Sequence, residues 1–449
     1  MTAPGTALPG VAVVEGWART RASDAAVLVG AVLLVVGALT GRPDVAVLGA
    51  APVVAGFWER ARRPRGVVRL ELTDAEQQDP DVQEAGSAGT VHATVRLRVP
   101  EGAAAAVLRV RRGARQVDEV LVLAEGGRDL PLVVRTVRTG PQEIATVDAQ
   151  GVGVGAATVS EPTGPVSRAT LVLPVPGPLR DLPLPQRLRG LTGAHESRRP
   201  GEGGGLRDVH PYVTGDRLRR IDWRVTARRA PDLHELYVRR EHALAEAVVL
   251  LVVDSRDDVG PDPRTWRGEE RPLPQDPTSL DLARTAAASL AQGYLGLGDR
   301  VGLDDLGVRR RPLPPGGGRR QLERIRHALA VTHPAGEPTV RVRAPQVPSG
   351  ALVVVFSTFL DDEAAAAAGH WRRSGHRVLA VDVLPTVRRR GLDDRELLAT
   401  RLVLLAREDR LAGLADLDVE VVTWRDAPAV ALAGLARRGR RRPGAGVPA

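Results

Sequence analysis

Residues 247–254 read AVVLLVVD. Seven consecutive apolar residues show no alternation between faces, so a strand built from them has no side to give to water. Such a strand belongs inside a sheet covered on both faces by helices. The chain that follows offers them. Strand-like runs recur at 300–307, 351–357, 377–384 and 418–424, and amphipathic stretches with helical periodicity fill 280–295, 318–329, 362–374 and 393–414. This alternation predicts a doubly wound parallel sheet, with function expected beyond the carboxyl ends of its strands.

The preceding residues have a different texture. Over 66–176 the chain breaks into short Val-rich segments such as TVHATVRLRV and QVDEVLVLA, separated by Gly, Pro and Asp. That pattern predicts an antiparallel β-sandwich of about seven strands. A Pro-, Gly- and Arg-rich linker is expected over 177–205, and a signature segment joined to the α/β domain over 206–436. Nearer the amino terminus a polar leader, 1–24, precedes two charge-free runs, 25–41 and 45–58, separated by Arg42-Pro43-Asp44. At ~1.5 Å per residue they span about 25 and 21 Å, short for a ~30 Å hydrocarbon core. Trp17 and Trp58 at their outer ends, with arginines at 19, 21, 60, 62, 63 and 65, nonetheless fit a transmembrane helical hairpin. The positive-inside rule places both ends, and the main domains, in the cytoplasm of a multi-pass membrane protein. The basic residues from Arg437 read as a disordered tail, 437–449.

Composition excludes whole classes of chemistry. The chain has no Cys, and every basic residue apart from His is Arg. Without Cys there is no thiol nucleophile, thiolate metal site or disulfide. Without Lys there is no P-loop lysine and no Schiff base. The net charge of +9 is spread among 54 acidic residues, and only three Phe and three Tyr are available for stacking. Nucleic-acid binding is accordingly not expected.

The most charged stretch runs over 205–246. Tyr212-Val213-Thr214-Gly215-Asp216 reads as a strand end closed by a turn. Arg219, Arg220, Asp222, Arg224 and Arg228 then surround Trp223. The plain reading is an ion-pair network bracing a loop; the sharper one is a partner-binding face. The order Arg207, Tyr212, Gly215-Asp216, Arg219, Ile221-Asp222-Trp223, Ala227-Arg228, Arg239, Glu241 and Glu246, followed by a strand ending in Asp254, resembles the domain of unknown function 58 family. The likeness extends over 18–436, including Gly298-Asp299-Arg300-Val301-Gly302. It implies a von Willebrand factor A-like (vWA-like) fold, a membrane anchor and a MoxR-type AAA+ ATPase as partner.

A vWA-like fold also implies a Mg²⁺ site at the end of its first strand, built on Asp-x-Ser-x-Ser. Here that position reads Asp254-Ser255-Arg256-Asp257-Asp258, with Arg256 where the first Ser ligand belongs. Thr358 stands where a supporting Asp is expected, with Asp361 nearby. A fixed positive charge opposes a cation, so only a degenerate metal site, Asp254 and Asp258, is expected, with no cofactor. Ser255 lacks a nucleophile-elbow context, and the nine His form no metal-binding motif. The reading that follows is a membrane-inserted, non-enzymatic protein-interaction module that works with a MoxR-type ATPase in assembling or maturing envelope complexes. A metal-dependent hydrolase using Asp254 and Asp222, and a nucleic-acid or anionic-lipid binding protein, are the alternatives.

Overall fold

The structure is a computed structural model. It describes residues 10–74, 89–112, 115–123, 127–189, 193–268, 270–308, 311–334 and 345–441. The chain divides into two compact units, one of residues 1–136 and 141–172, the other of residues 137–140 and 173–449.

The first unit opens with two short strands, β1 (Val11–Val14) and β2 (Trp17–Arg19). Helices α1 (Arg21–Leu39) and α2 (Pro43–Ala61) follow, then β3 (Val68–Asp74), β4 (Thr90–Arg98), β5 (Ala103–Arg112), β6 (Arg115–Leu123), β7 (Arg128–Arg135), β8 (Gly140–Gly153), β9 (Thr158–Ser160) and β10 (Val166–Val172). One sheet has the order β1-β3-β4-β7; the other runs β2-β9-β8-β5-β6, with β10 also paired to β8. Alternate residues, Val68, Leu70 and Leu72 from one sheet and Ala106, Leu108, Val147 and Ala149 from the other, share a single core. Period-two alternation thus yields two half-solvated sheets face to face.

The segment expected as a polar leader contributes strands to the sandwich. Val11–Val14 pair with residues 68–71, and Trp17–Arg19 with 158–160, so these residues are sandwich edges. Trp17 is correspondingly not an exposed anchor. Its ring is buried in the sandwich core, and its indole N–H donates to the Gly66 carbonyl at 3.0 Å. A Trp in an otherwise small-residue core fills volume that Val and Ala leave open.

Helices α1 and α2 pack together along glycines. A side chain at Gly37 would lie 2.5 Å from the Ala46 backbone nitrogen, and one at Gly49 would lie 2.5 Å from the Gly30 carbonyl oxygen. Only glycine permits that approach. Among the described residues α1 alone is long and apolar enough to cross a membrane. Helix α2, expected as a second span, contains Asp44, Glu59, Arg60 and an internal Pro52, and falls short by that measure.

The second unit begins with β11 (His195–Pro211), which pairs with β12 (Tyr237–Ala245) around α3 (Trp223–Arg229). The linker expected through 205 therefore ends sooner. From His195 its Gly-rich residues form one strand of an irregular ribbon, their register broken by bulges where glycine removes side-chain constraints. Next come β13 (Val248–Val253), α4 (Ser279–Gly296), β14 (Arg300–Asp305), β15 (Leu313–Gly316), α5 (Arg319–Val331), β16 (Leu352–Ser357), α6 (Glu363–Arg373), β17 (Arg377–Asp382), α7 (Asp394–Asp416), β18 (Glu420–Thr423) and α8 (Pro428–Arg441). The sheet order is β15-β14-β13-β16-β17-β18, parallel except at the β15 edge.

All six residues of β13 are buried. Val249, Leu251 and Val253 pack with α4, α5 and α8, while Leu250 and Val252 pack with α6 and α7. The unbroken apolar run is thus covered on both faces. The expected tail is partly helical: Leu432, Leu435 and Ala436 anchor α8, which carries on to Arg441. Residues 442–449 lie outside the described set.

Candidate functional site

Two places in the second unit gather the residues that sequence singled out. The first is the distal end of the β11–β12 ribbon. Pro211 faces Tyr237 there, and the intervening chain folds back on the strands through an Ile221–Val238 bridge. Asp222 caps α3, accepting from the Arg224 and Val225 amides at 3.1 Å each. Asp216 closes the preceding turn, accepting from the Val213 amide at 3.0 Å and lying 3.0 Å from His210 Nε2. That backbone hydrogen bond, with His210 and Arg240 adding, holds the Asp216 carboxyl below its usual range. Gly215 makes the turn at φ 110°, a conformation a side chain would strain. Thr226 is the internal pin: it is fully buried, and its hydroxyl accepts from the Tyr237 amide at 3.0 Å.

Apart from buried Ala230 and half-buried Ile221 and Val225, the larger side chains at this end are displayed. Trp223, beside the cap, is 61% exposed, and Tyr212, Val213, Leu218 and Leu233 are exposed with it. Arg219, Arg224, Arg228 and Arg229 are also exposed, the last lying over the Tyr237 ring at 5.4 Å. Arg207 and Arg239 lie further back on the exposed side of the ribbon. The remaining signature acids are elsewhere. Glu241 accepts from the Gly203 amide at 3.1 Å along the ribbon. Glu246 lies at its opposite end, where its carboxylate meets Arg300 Nε at 2.9 Å and its backbone bridges to Arg189. Glu246 therefore braces the ribbon's root and is separate from the Trp223 face.

The second place is where β13 and β16 end. The chain turns from β13 toward α4 on one face and from β16 toward α6 on the other, which opens a crevice at the strands' carboxyl ends. Asp254, next after β13, is buried. Arg256 closes on it with Nε and Nη2, both at 2.8 Å, while the Ser357 hydroxyl donates to the same carboxylate at 2.7 Å. The other edge of the Arg256 guanidinium meets Asp361 at 2.8 and 2.9 Å. Burial opposes the Arg256 charge, but hydrogen bonds and attraction from Asp254 and Asp361 outweigh it and raise its pKa.

Around this pair sit more acids. Asp257 accepts from the Thr358 hydroxyl at 3.2 Å. Burial pushes its carboxyl up to about 7, with the nearby Asp254 charge adding and the Thr358 hydrogen bond opposing. Asp305 accepts from the Ser255 hydroxyl at 2.6 Å, and burial raises its pKa as well. Gly307 lets these loops meet, since a Cβ there would lie 2.8 Å from the Ser255 carbonyl carbon. Arg407 from α7 donates to the Thr358 carbonyl at 2.6 Å and pairs with buried Asp382. Sequence reading did not find Arg407 and Asp382. For Arg407 the one signal is its seven-residue spacing from Thr400 and Leu414, the other buried residues of α7.

These residues do not fit a divalent cation. Both oxygens of Asp254 are held by a guanidinium, and Thr358 contributes hydroxyl and carbonyl groups already engaged. Asp258, the other residue of the expected degenerate site, turns away toward α4 and accepts from the Leu280 amide at 3.3 Å. Among the described residues no group of three or more His, Asp or Glu is placed to hold a metal.

No curated protein and no solved structure matches the chain in the comparisons made. Residues 208–390 match the family model described as "Protein of unknown function DUF58", a span that takes in the ribbon's distal face, the strand-end cluster apart from Arg407, and most of the parallel sheet. That match assigns the domain within residues 208–390 to the domain of unknown function 58 family.

Proposed function

We propose that this protein is a membrane-anchored, non-enzymatic interaction module whose partner-binding face is the distal end of the β11–β12 ribbon. The observation that carries the reading is Trp223. Its neighbours Asp222 and Thr226 are fixed by backbone hydrogen bonds, yet the ring itself stands in solvent among arginines. Exposed Trp and Arg on a rigid element are the residue types that dominate interface energetics. Their charge favours a partner with an acidic, apolar-pocketed surface. The partner in this reading is a MoxR-type AAA+ ATPase, in the assembly or maturation of envelope complexes.

The strand order, with one antiparallel edge and helices on both faces, supports a vWA-like scaffold for this domain. In this reading Arg256 takes the place of the cation, and the strand-end cluster is a structural clasp. The membrane reading rests on α1 and on connectivity. Strands β1 and β2, before the helices, pair with β3 and β9, after them. A chain that enters the bilayer through α1 must therefore return, and α2 is the segment that brings it back as a hairpin, leaving the main domains cytoplasmic.

The test is co-purification from native membranes with wild type, Trp223→Ala and Arg228→Ala. Loss of one AAA+ ATPase with both variants, at unchanged melting temperature, supports the proposal. An unchanged set of co-purifying proteins, or turnover of a phosphoester or peptide by the wild type alone, would refute it.

A further inference from the structure

Helix α7 runs for 23 residues yet buries only Thr400, Arg407 and Leu414, all on one side. On the opposite side Leu398 is 59% exposed, Leu402 59% and Leu405 48%. At about 100° per residue these leucines share an arc of roughly 120° with Arg395, Ala399, Ala406 and Asp409. A stripe of this kind along a solvent-facing helix calls for a partner. We infer that the partner is a second copy of this chain, with α7 packed antiparallel against α7 about a two-fold axis beside Leu402.

The argument is self-complementarity. In that arrangement residues equally far before and after position 402 come to the same level. Leu402 meets its own copy. Leu405 of each chain lies beside Leu398 of the other on one flank, and Ala399 beside Ala406 on the opposite flank. Large residues therefore fill one side of the seam while small ones let the helices approach on the other. At both ends Arg395 comes level with Asp409. Both are exposed, and neither has an ion-pair partner among the described residues. The adjacent charges Glu396 and Arg410 are already paired with Arg264 and Asp362, which leaves Arg395 and Asp409 for the seam. A parallel pairing would instead set Arg395 against Arg395. The charge pattern selects the antiparallel one.

This surface is distinct from the Trp223 face and stands or falls separately. Because the chain contains no cysteine, it reports its own contacts cleanly. Full-length Leu402→Cys, purified in detergent and mildly oxidised, is expected to form a disulfide-linked dimer much faster than Val430→Cys, an even more exposed position on α8. Sedimentation should show Arg395→Asp and Asp409→Arg each weakening self-association about tenfold, since each removes two ion pairs per dimer. The double exchange, Arg395→Asp with Asp409→Arg, should restore it. Equal cross-linking at 402 and 430, or a double exchange no better than the singles, would overturn the proposal.

Discussion

At the scale of single residues, the strand-end cluster is a set of carboxylates crowded around two buried guanidiniums, of which Arg256 meets Asp254. Removing Arg256 leaves Asp254 buried without its counter-charge, a change that costs ~3–5 kcal/mol. Arg256→Ala should therefore lower the melting temperature well beyond the effect of an exposed substitution such as Arg228→Ala, as thermal unfolding would show. Asp257 responds to pH in the opposite sense from a salt-bridged acid. Its folded pKa is raised to about 7, against ~3.9 in an unfolded chain. Between those values the folded state keeps a proton that the unfolded state has lost. Stability therefore falls as pH rises through that window, and the loss is complete above about 7. Asp305 and Asp258 shift the same way, burial being the main cause in each, so they add to the slope. Asp257→Asn should melt higher than wild type at about pH 8 and converge with it at about pH 4. A melting profile with the wild-type slope would show that Asp257 does not titrate as its surroundings dictate.

At the scale of elements, the distal ribbon separates what holds its shape from what it displays. Asp222 and Asp216 hold backbone amides, and Thr226 pins α3 to β12. Loss of an N-cap side chain costs about 1 kcal/mol, so Asp222→Ala should destabilise this unit by that order. Trp223→Ala should leave unfolding nearly unchanged, because the ring gives up little buried surface. Melting curves that rank the two variants in the reverse order would show that the tryptophan is a brace and not a displayed side chain. Sequence reading could reach this division only partly. Asp before a helix and Asp after Gly announce caps and turns through chemistry local to the chain. Nothing local placed Glu246 at the far end of the ribbon, because its neighbour Arg300 lies 54 residues away.

At the scale of the whole molecule, helices α1 and α2 leave one sandwich and return to it. Full-length protein should require detergent for extraction, and a reporter fused after Ala449 should be active only in the cytoplasm. Recovery of the intact chain in the soluble fraction without detergent would refute the anchor. Sequence alone determined what depends on periodicity and composition. The unbroken apolar run of β13 required cover on both faces, and the five expected strands and four expected helices fall within two residues of their limits, although β15 and α8 were not among them. The absence of Cys and Lys closed off whole chemistries. Tertiary structure alone decided what depends on residues distant in sequence. Trp17 and the leader became sandwich edges because their partners lie at 66–71 and 158–160, and the last third or so of the supposed linker became a strand because β12 was there to pair with it. Arg256 shows both sides of this division: the sequence reveals a positive charge beside the strand-end Asp254, but only the fold brings Asp361, 105 residues away, onto its other edge.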